Sequence, residues 1–107
     1  MEYMKKDYEI EVRFLGKGGH SSRPEEADNP LDAGFRLIRF IEKNRGVLDA
    51  APVFFEAGTA QNIIPDQGKA LFFACGDIGP VTELFREGAK EILEKDNVRC
   101  VIDVRQA

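Results

Sequence analysis

Tyr8, Ile10, Val12 and Phe14 alternate with Glu9, Glu11 and Arg13 in YEIEVRF, the period-two pattern of a strand with one dry face and one wet face. Asn29 and Pro30 then mark a helix start. Asn can accept the free N–H groups of a first turn, and Pro at the first helical position loses no hydrogen bond. The pattern predicts a helix over Pro30 to Asn44. At about 100° per residue, Leu31, Ala33, Phe35, Leu37, Ile38, Phe40 and Ile41 cover an arc of roughly 220°, wider than one sheet contact requires. Part of that arc is therefore expected to meet a second surface, assigned to Ala33, Leu37 and Phe40. Gly46 in NRG suits a left-handed helix end, and PVFFEAGT reads as a second strand.

A turn around IPDQGK leads to KALFFACG, which has no polar face and so belongs in the middle of a sheet. Gly79 and Pro80 open a second helix. There Val81, Leu84, Phe85, Gly88, Ala89, Ile92 and Leu93 recur at helical spacing, and Lys95, Asp96 and Asn97 close it. VRCVIDV alternates again, with Val98, Cys100, Ile102 and Val104 on one side. The order βαββαβ predicts an α+β, ferredoxin-like fold, an antiparallel sheet with both helices on one face. Right-handed crossovers give the strand order 4-1-3-2. The first strand then begins where the last one ends, so both termini emerge together, as suits a module inserted in a larger protein.

Length and composition set bounds on this picture. The 107 residues suffice for one domain, and 43% hydrophobic with 32% charged residues is an ordinary soluble profile. A net charge of −4 and the lack of a basic stripe argue against nucleic acid, and the third strand lacks the Lys/Arg-Gly-Phe pattern of RNA-binding sheets. No apolar run reaches the ~20 residues that cross a bilayer and no secretion signal is evident, so a cytoplasmic location is expected. Cys75 and Cys100 have no Cys-x-x-Cys spacing and read as small core residues on separate strands, too far apart to bridge.

The candidate chemistry lies in two loops. His20, the single histidine, follows the first strand in GKGGHSSRP, where glycines let the backbone approach a ligand or turn sharply. An imidazole there can donate or accept a hydrogen bond, although a solvated loop histidine is the ordinary reading of its spacing. One histidine without acidic neighbours supplies no zinc site. The loop also lacks the Gly-Lys-Ser/Thr ending of a P-loop and the third glycine of a dinucleotide fingerprint. Ser21 and Ser22 have no Asp-oriented base beyond His20, so a serine hydrolase is not supported. In GTAQNIIPD, Asn62 offers an amide donor and a carbonyl acceptor, or with Pro65 and Asp66 simply builds a turn.

Together, GKGGHSSRPEEADNPLDA and AGTAQNIIPD resemble the lid, or dimerisation, domain of the dinuclear zinc metallopeptidases. That family includes aminoacylase, carboxypeptidase G-type enzymes, succinyl-diaminopimelate desuccinylase and the hippurate or auxin-conjugate amidohydrolases. The resemblance covers essentially the whole chain and implies residues 1–107 as a single lid domain of a larger enzyme cleaving N-acyl amino acids or short peptides. It implies that His20 reaches the neighbouring subunit's active site and stabilises the oxyanion formed at the scissile carbonyl, a donor typically worth ~10² to 10³ in rate. Asn62, with Gly19 and Ser21, would bind substrate. The resemblance further implies a homodimer through the first helix and the second, edge strand, and two zinc ions or similar divalent metals in a separate catalytic domain. Gly76 stands where many members carry an arginine for the substrate carboxylate. A chain of this kind alone would be inactive; the alternative is a free-standing ferredoxin-like module for a small ligand.

Overall fold

A computed structural model describes residues 7–16, 19–20, 29–46, 48–58, 63–64 and 67–107, with residues 19, 20, 63 and 64 described by their backbone alone. The elements run β1 (Tyr8–Leu15), β2 (Gly19–His20), α1 (Pro30–Asn44), β3 (Asp49–Ala57), β4 (Ile63–Ile64), β5 (Gln67–Cys75), α2 (Ile78–Asp96) and β6 (Arg99–Gln106). Four strands form one antiparallel sheet in the order β3-β5-β1-β6, the ferredoxin-like order expected. β5, the strand expected in the middle of the sheet, lies between β3 and β1. Besides this sheet, β2 and β4 pair in a short ladder of their own that periodicity did not mark.

Alternation decides which face of the sheet is dry. Ile10, Val12 and Phe14 of β1 and Ala70, Phe72 and Ala74 of β5 are fully buried beneath the helices, as are Leu37, Ile41, Phe85 and Ile92 from above. Each such large side chain contributes roughly 1.5–3 kcal/mol by leaving water. Phe72 and Phe85 meet edge to face with centroids 4.8 Å apart, so α2 is keyed to the central strand. On β6, Cys100, Ile102 and Val104 pack against the same core, on the one side the alternation predicts.

Local chemistry sets the helix ends. The Asn29 side chain accepts from the Leu31 N–H at 2.9 Å with Pro30 in the first turn, and Gly46 follows α1 with φ +58. α2 starts at Ile78, one residue earlier than the Gly79-Pro80 pair suggests, because Asp77 is the N-cap and accepts from the Gly79 N–H at 3.1 Å. Asn97 closes α2 in the left-handed region, φ 54. Arg36 and Asp96 join the two helices at 2.7 Å, and this hydrogen bond with its charge raises the guanidinium's already high pKa.

The wide apolar arc of α1 has a different explanation from the one expected. Ala33 and Leu37 are fully buried in the chain's own core and Phe40 packs against it. α1 touches both the sheet and α2. A Cβ added at Gly88 of α2 would lie 2.7 Å from Leu37 Cδ1 and 3.0 Å from Phe40 Cδ1, so that glycine lets the helices close together. The apolar residues of the arc left exposed are Leu31 and Phe35, at 36% and 52%.

Neither cysteine is in a disulfide and both are only partly buried, so neither is a fully enclosed core residue. Register places them at opposite ends of the sheet, Cys75 across from Asp49 and Cys100 across from Phe14, which rules out a bridge within the chain. Burial, aided by the negative charge of Asp96, pushes the Cys100 thiol up to about 12, leaving it a poor nucleophile. At the other end of the chain the Ala107 N–H donates to the Asp7 carbonyl at 3.0 Å, so the first and last described residues are neighbours.

Gly34 offers a test of this packing, since a Cβ there would run into the Phe55 ring. That ring is held from two sides, 6.0 Å from Phe14 and 5.5 Å from Phe35, centroid to centroid. Gly34→Ala gains about 1 kcal/mol of helix propensity, against an overpacking cost of roughly 1–3 kcal/mol. The variant is expected to have a lower urea midpoint than the parent. A midpoint equal or higher would mean that α1 does not sit on Phe55 as described.

Candidate functional site

The pairing of β1 with β5 runs from Tyr8↔Ala74 to Leu15↔Gln67, so the exit of β1 and the entry of β5 lie side by side. Gly19 pairs with Ile64 and His20 with Ile63 in the second ladder. Its register continues that of β1 and β5 with an offset of one residue, because Leu15 and Gly19 are four positions apart and Ile64 and Gln67 three. The small ladder is thus an arm of the large sheet. Gly16 follows the end of β1, and Gly58, with φ +80, follows the end of β3 in a conformation that favours glycine.

This arm brings together the two segments singled out in the sequence. His20 stands directly opposite Ile63, and Asn62 is bonded to Ile63. Gly19 is in the ladder; Ser21, Asn62, Pro65 and Asp66 lie outside the described residues. Gly76 belongs to a different place. It follows Cys75 at the far end of β5, nine positions from Gln67, or roughly 30 Å along an extended strand. Within one chain, the structure does not bring His20 and the Gly76 corner together.

The Gly76 corner has its own local cause. Its backbone has φ +90, a conformation that side chains other than glycine rarely adopt, and its N–H donates to Asp7 Oδ2 at 3.0 Å. An arginine at this position would carry the strain of that φ. The departure from the arginine-bearing pattern is therefore built into the turn and not confined to one side chain.

Against the root of the arm, on the sheet face that the helices leave uncovered, lies a cavity of about 480 Å³ lined by Arg13, Leu15, Glu56, Gly58, Gln67 and Lys69 among others. Sequence reasoning gave Arg13 and Lys69 no role in binding: Arg13 reads only as a wet-face position of the first strand, and Lys69 as the start of a mostly apolar one. The sign that could have found them is register, which puts Arg13 directly opposite Lys69. Among the described residues no three His, Cys, Asp or Glu side chains converge as metal ligands, and no helix is long and apolar enough to cross a membrane.

The fold is thus a two-helix, four-stranded α+β layer with a short paired ladder beside one end of its sheet. Residues 6–95 match the peptidase dimerisation domain family, and the chain belongs to that family. Over 65 residues it is 35% identical to N-acetyldiaminopimelate deacetylase of Streptococcus pneumoniae (strain Hungary19A-6), a match covering 54% of this chain and 17% of that protein. The chain accordingly spans a small part of the curated relatives it matches. Two solved structures share the fold: AtUAH in complex with (S)-hydroxyglycine, with TM-score 0.79, 19% identity and coverage of 94% of this chain and 27% of that one, and the aminobenzoyl-glutamate utilization protein of Klebsiella pneumoniae, with TM-score 0.72, 17% identity and coverage of 94% and 28%.

Gly76→Ala isolates the backbone strain, because no atom lies within 4 Å of the added Cβ. A non-glycine residue held in such a conformation costs of order 1–3 kcal/mol. The variant is expected to melt several degrees below the parent, and Gly79→Ala, in the ordinary first turn of α2, to melt close to it. Equal melting of parent and Gly76→Ala would show that the corner is not held at positive φ.

Proposed function

We propose that this chain is the dimerisation and substrate-binding lid of a metal-dependent amidohydrolase or peptidase that cleaves N-acyl amino acids or short peptides, and that it is inactive by itself. What carries the reading is the arm. The backbone of His20 pairs with that of Ile63, the residue that Asn62 directly precedes in sequence, in a chain of the peptidase dimerisation family. Residues 1–107 act in this reading as one lid attached to a host catalytic domain, in the cytoplasm. In this reading two zinc ions or similar divalent ions belong to that host domain, where they would supply Lewis-acid chemistry.

The lid's own contribution is a positioned donor. His20 donates an N–H to the scissile carbonyl oxygen of a substrate held by the neighbouring subunit, where negative charge grows as the carbonyl becomes tetrahedral. A donor fixed in advance costs no reorganisation at that moment. Asn62 supplies an amide donor and acceptor to the substrate, and Gly19 and Ser21, the sequence neighbours of His20, are assigned to substrate binding with it. Replacing His20 by Ala in the full-length enzyme is expected to lower turnover at least tenfold, with ~10² to 10³ the typical loss for one such donor, and to leave metal content unchanged. Unchanged turnover would remove His20 from the mechanism.

Self-association is the second part of the proposal. β3 is an edge of the sheet with one side of its backbone unpaired, and α1 lies over β3 and β5. Leu31 and Phe35 on α1 and Val53 and Phe54 on β3 are large apolar side chains left 36–52% exposed, and the Phe35 ring touches Phe55 of β3. Leu31 and Phe35 replace Ala33, Leu37 and Phe40 as the helix's contribution to a two-fold contact. Pro52, which has no N–H, and the register shift between Pro52 and Phe54 confine backbone pairing to part of the edge. Sedimentation velocity should show a concentration-dependent dimer that Phe35→Glu with Val53→Lys converts to a folded monomer. A dimer of unchanged stability in that double variant would place the contact elsewhere.

A further inference from the structure

Arg13 of β1 and Lys69 of β5 face each other directly in the antiparallel register, and the alternation that buries Val12 and Ala70 turns both side chains to the uncovered face of the sheet. Cβ atoms of such a pair are ~4.5–5.5 Å apart, and like charges so placed destabilise a sheet. Their compensation is incomplete. Glu11 comes only to 3.8 Å of Arg13 Nε, and its other oxygen is taken by Arg105 Nη2 at 3.0 Å. Glu56 stands opposite Lys69 across β3, yet among the described residues Lys69 is in no ion pair, and its ammonium lies 5.9 Å from the centroid of the Phe54 ring. The Arg13 side chain is 56% exposed, so a solute can reach it.

The cavity of about 480 Å³ opens against this pair and is of the size that holds a small organic molecule. Among the described residues its charged lining is two cations and one anion, a net single positive charge. The guanidinium presents a planar fork suited to a carboxylate, the ammonium a point charge, and the Gln67 amide a further donor. Glu56 on the wall opposes a doubly charged anion more than a singly charged one. Leu15 adds an apolar wall, and Leu15 and Gln67 are the strand residues from which the His20 and Asn62 segments leave. The cavity is therefore at the foot of the arm.

We infer that Arg13 and Lys69 form a carboxylate-binding subsite that takes the anionic end of an acylated amino acid or short peptide. The identity of the ligand rests on the function proposed above, but its binding is read on this chain without hydrolysis. The experiment is a titration of the ¹⁵N-labelled chain at constant ionic strength with N-acetylglycine, with N-acetylglycinamide as its uncharged match and inorganic phosphate as a second anion. N-acetylglycine is expected to give saturable amide shifts at Arg13, Gly68 and Lys69, the amide none, and phosphate binding several-fold weaker. Arg13→Gln and Lys69→Gln, which relieve repulsion and so keep the fold, should each weaken N-acetylglycine at least tenfold, about the loss of one charge-assisted hydrogen bond. The subsite is overturned if no saturable shift appears, if the amide binds as well, if phosphate binds as tightly, or if both variants bind like the parent. Carboxylate binding retained in a chain whose His20→Ala change leaves turnover of the full-length enzyme unaltered would support the subsite while removing the catalytic role of His20.

Discussion

The pairing of β1 with β5 is the constraint on which the arrangement depends. Two strands far apart in sequence are locked from Tyr8↔Ala74 to Leu15↔Gln67, and both bury their inward residues under the same helices. A slip of one residue would turn Ile10, Val12 and Phe14 to water, so the hydrophobic pattern enforces the register. That register also fixes where the strands end. Gly19 and His20 can meet Ile63 and Ile64 because Leu15 already lies beside Gln67. The core register thus fixes the backbone position of the histidine.

Most of the sheet and both helices are legible in the sequence, for reasons that differ between elements. In β1 and β6, charged residues alternate with apolar ones, so period two is unmistakable. β5 shows no alternation, and its place in the middle follows instead from the lack of a polar face. α1 is marked by Asn29 and Pro30, whose roles at a helix start do not depend on tertiary contacts. For α2, Asp77 is the cap and Gly79-Pro80 already lie inside the helix. A good capping residue two positions ahead outweighed the more conspicuous Gly-Pro pair.

The candidate site is only half legible, because a two-residue strand has no period. GKGGH and QNIIPD carry residues suited to binding, yet nothing in either stretch tells that His20 and Ile63 face one another; the long-range register of the strands behind them does. The same applies to Arg13 and Lys69, which read as ordinary polar positions until pairing sets them side by side. Breadth of an apolar arc was a poor guide to a second surface. Ala33 and Leu37 are occupied by β-sheet and α2 at once, and what remains for another molecule is Leu31 and Phe35 next to an open strand edge.

Cross-strand contact between His20 and Ile63 is the most direct quantity to measure. In the labelled chain a nuclear Overhauser effect between their backbone protons is predicted, together with slowed amide exchange in the ladder. Loss of that effect in a sample that still shows Tyr8 against Ala74 and Phe14 against Cys100 would mean that the core folds without presenting the imidazole, and the account of the lid would fail.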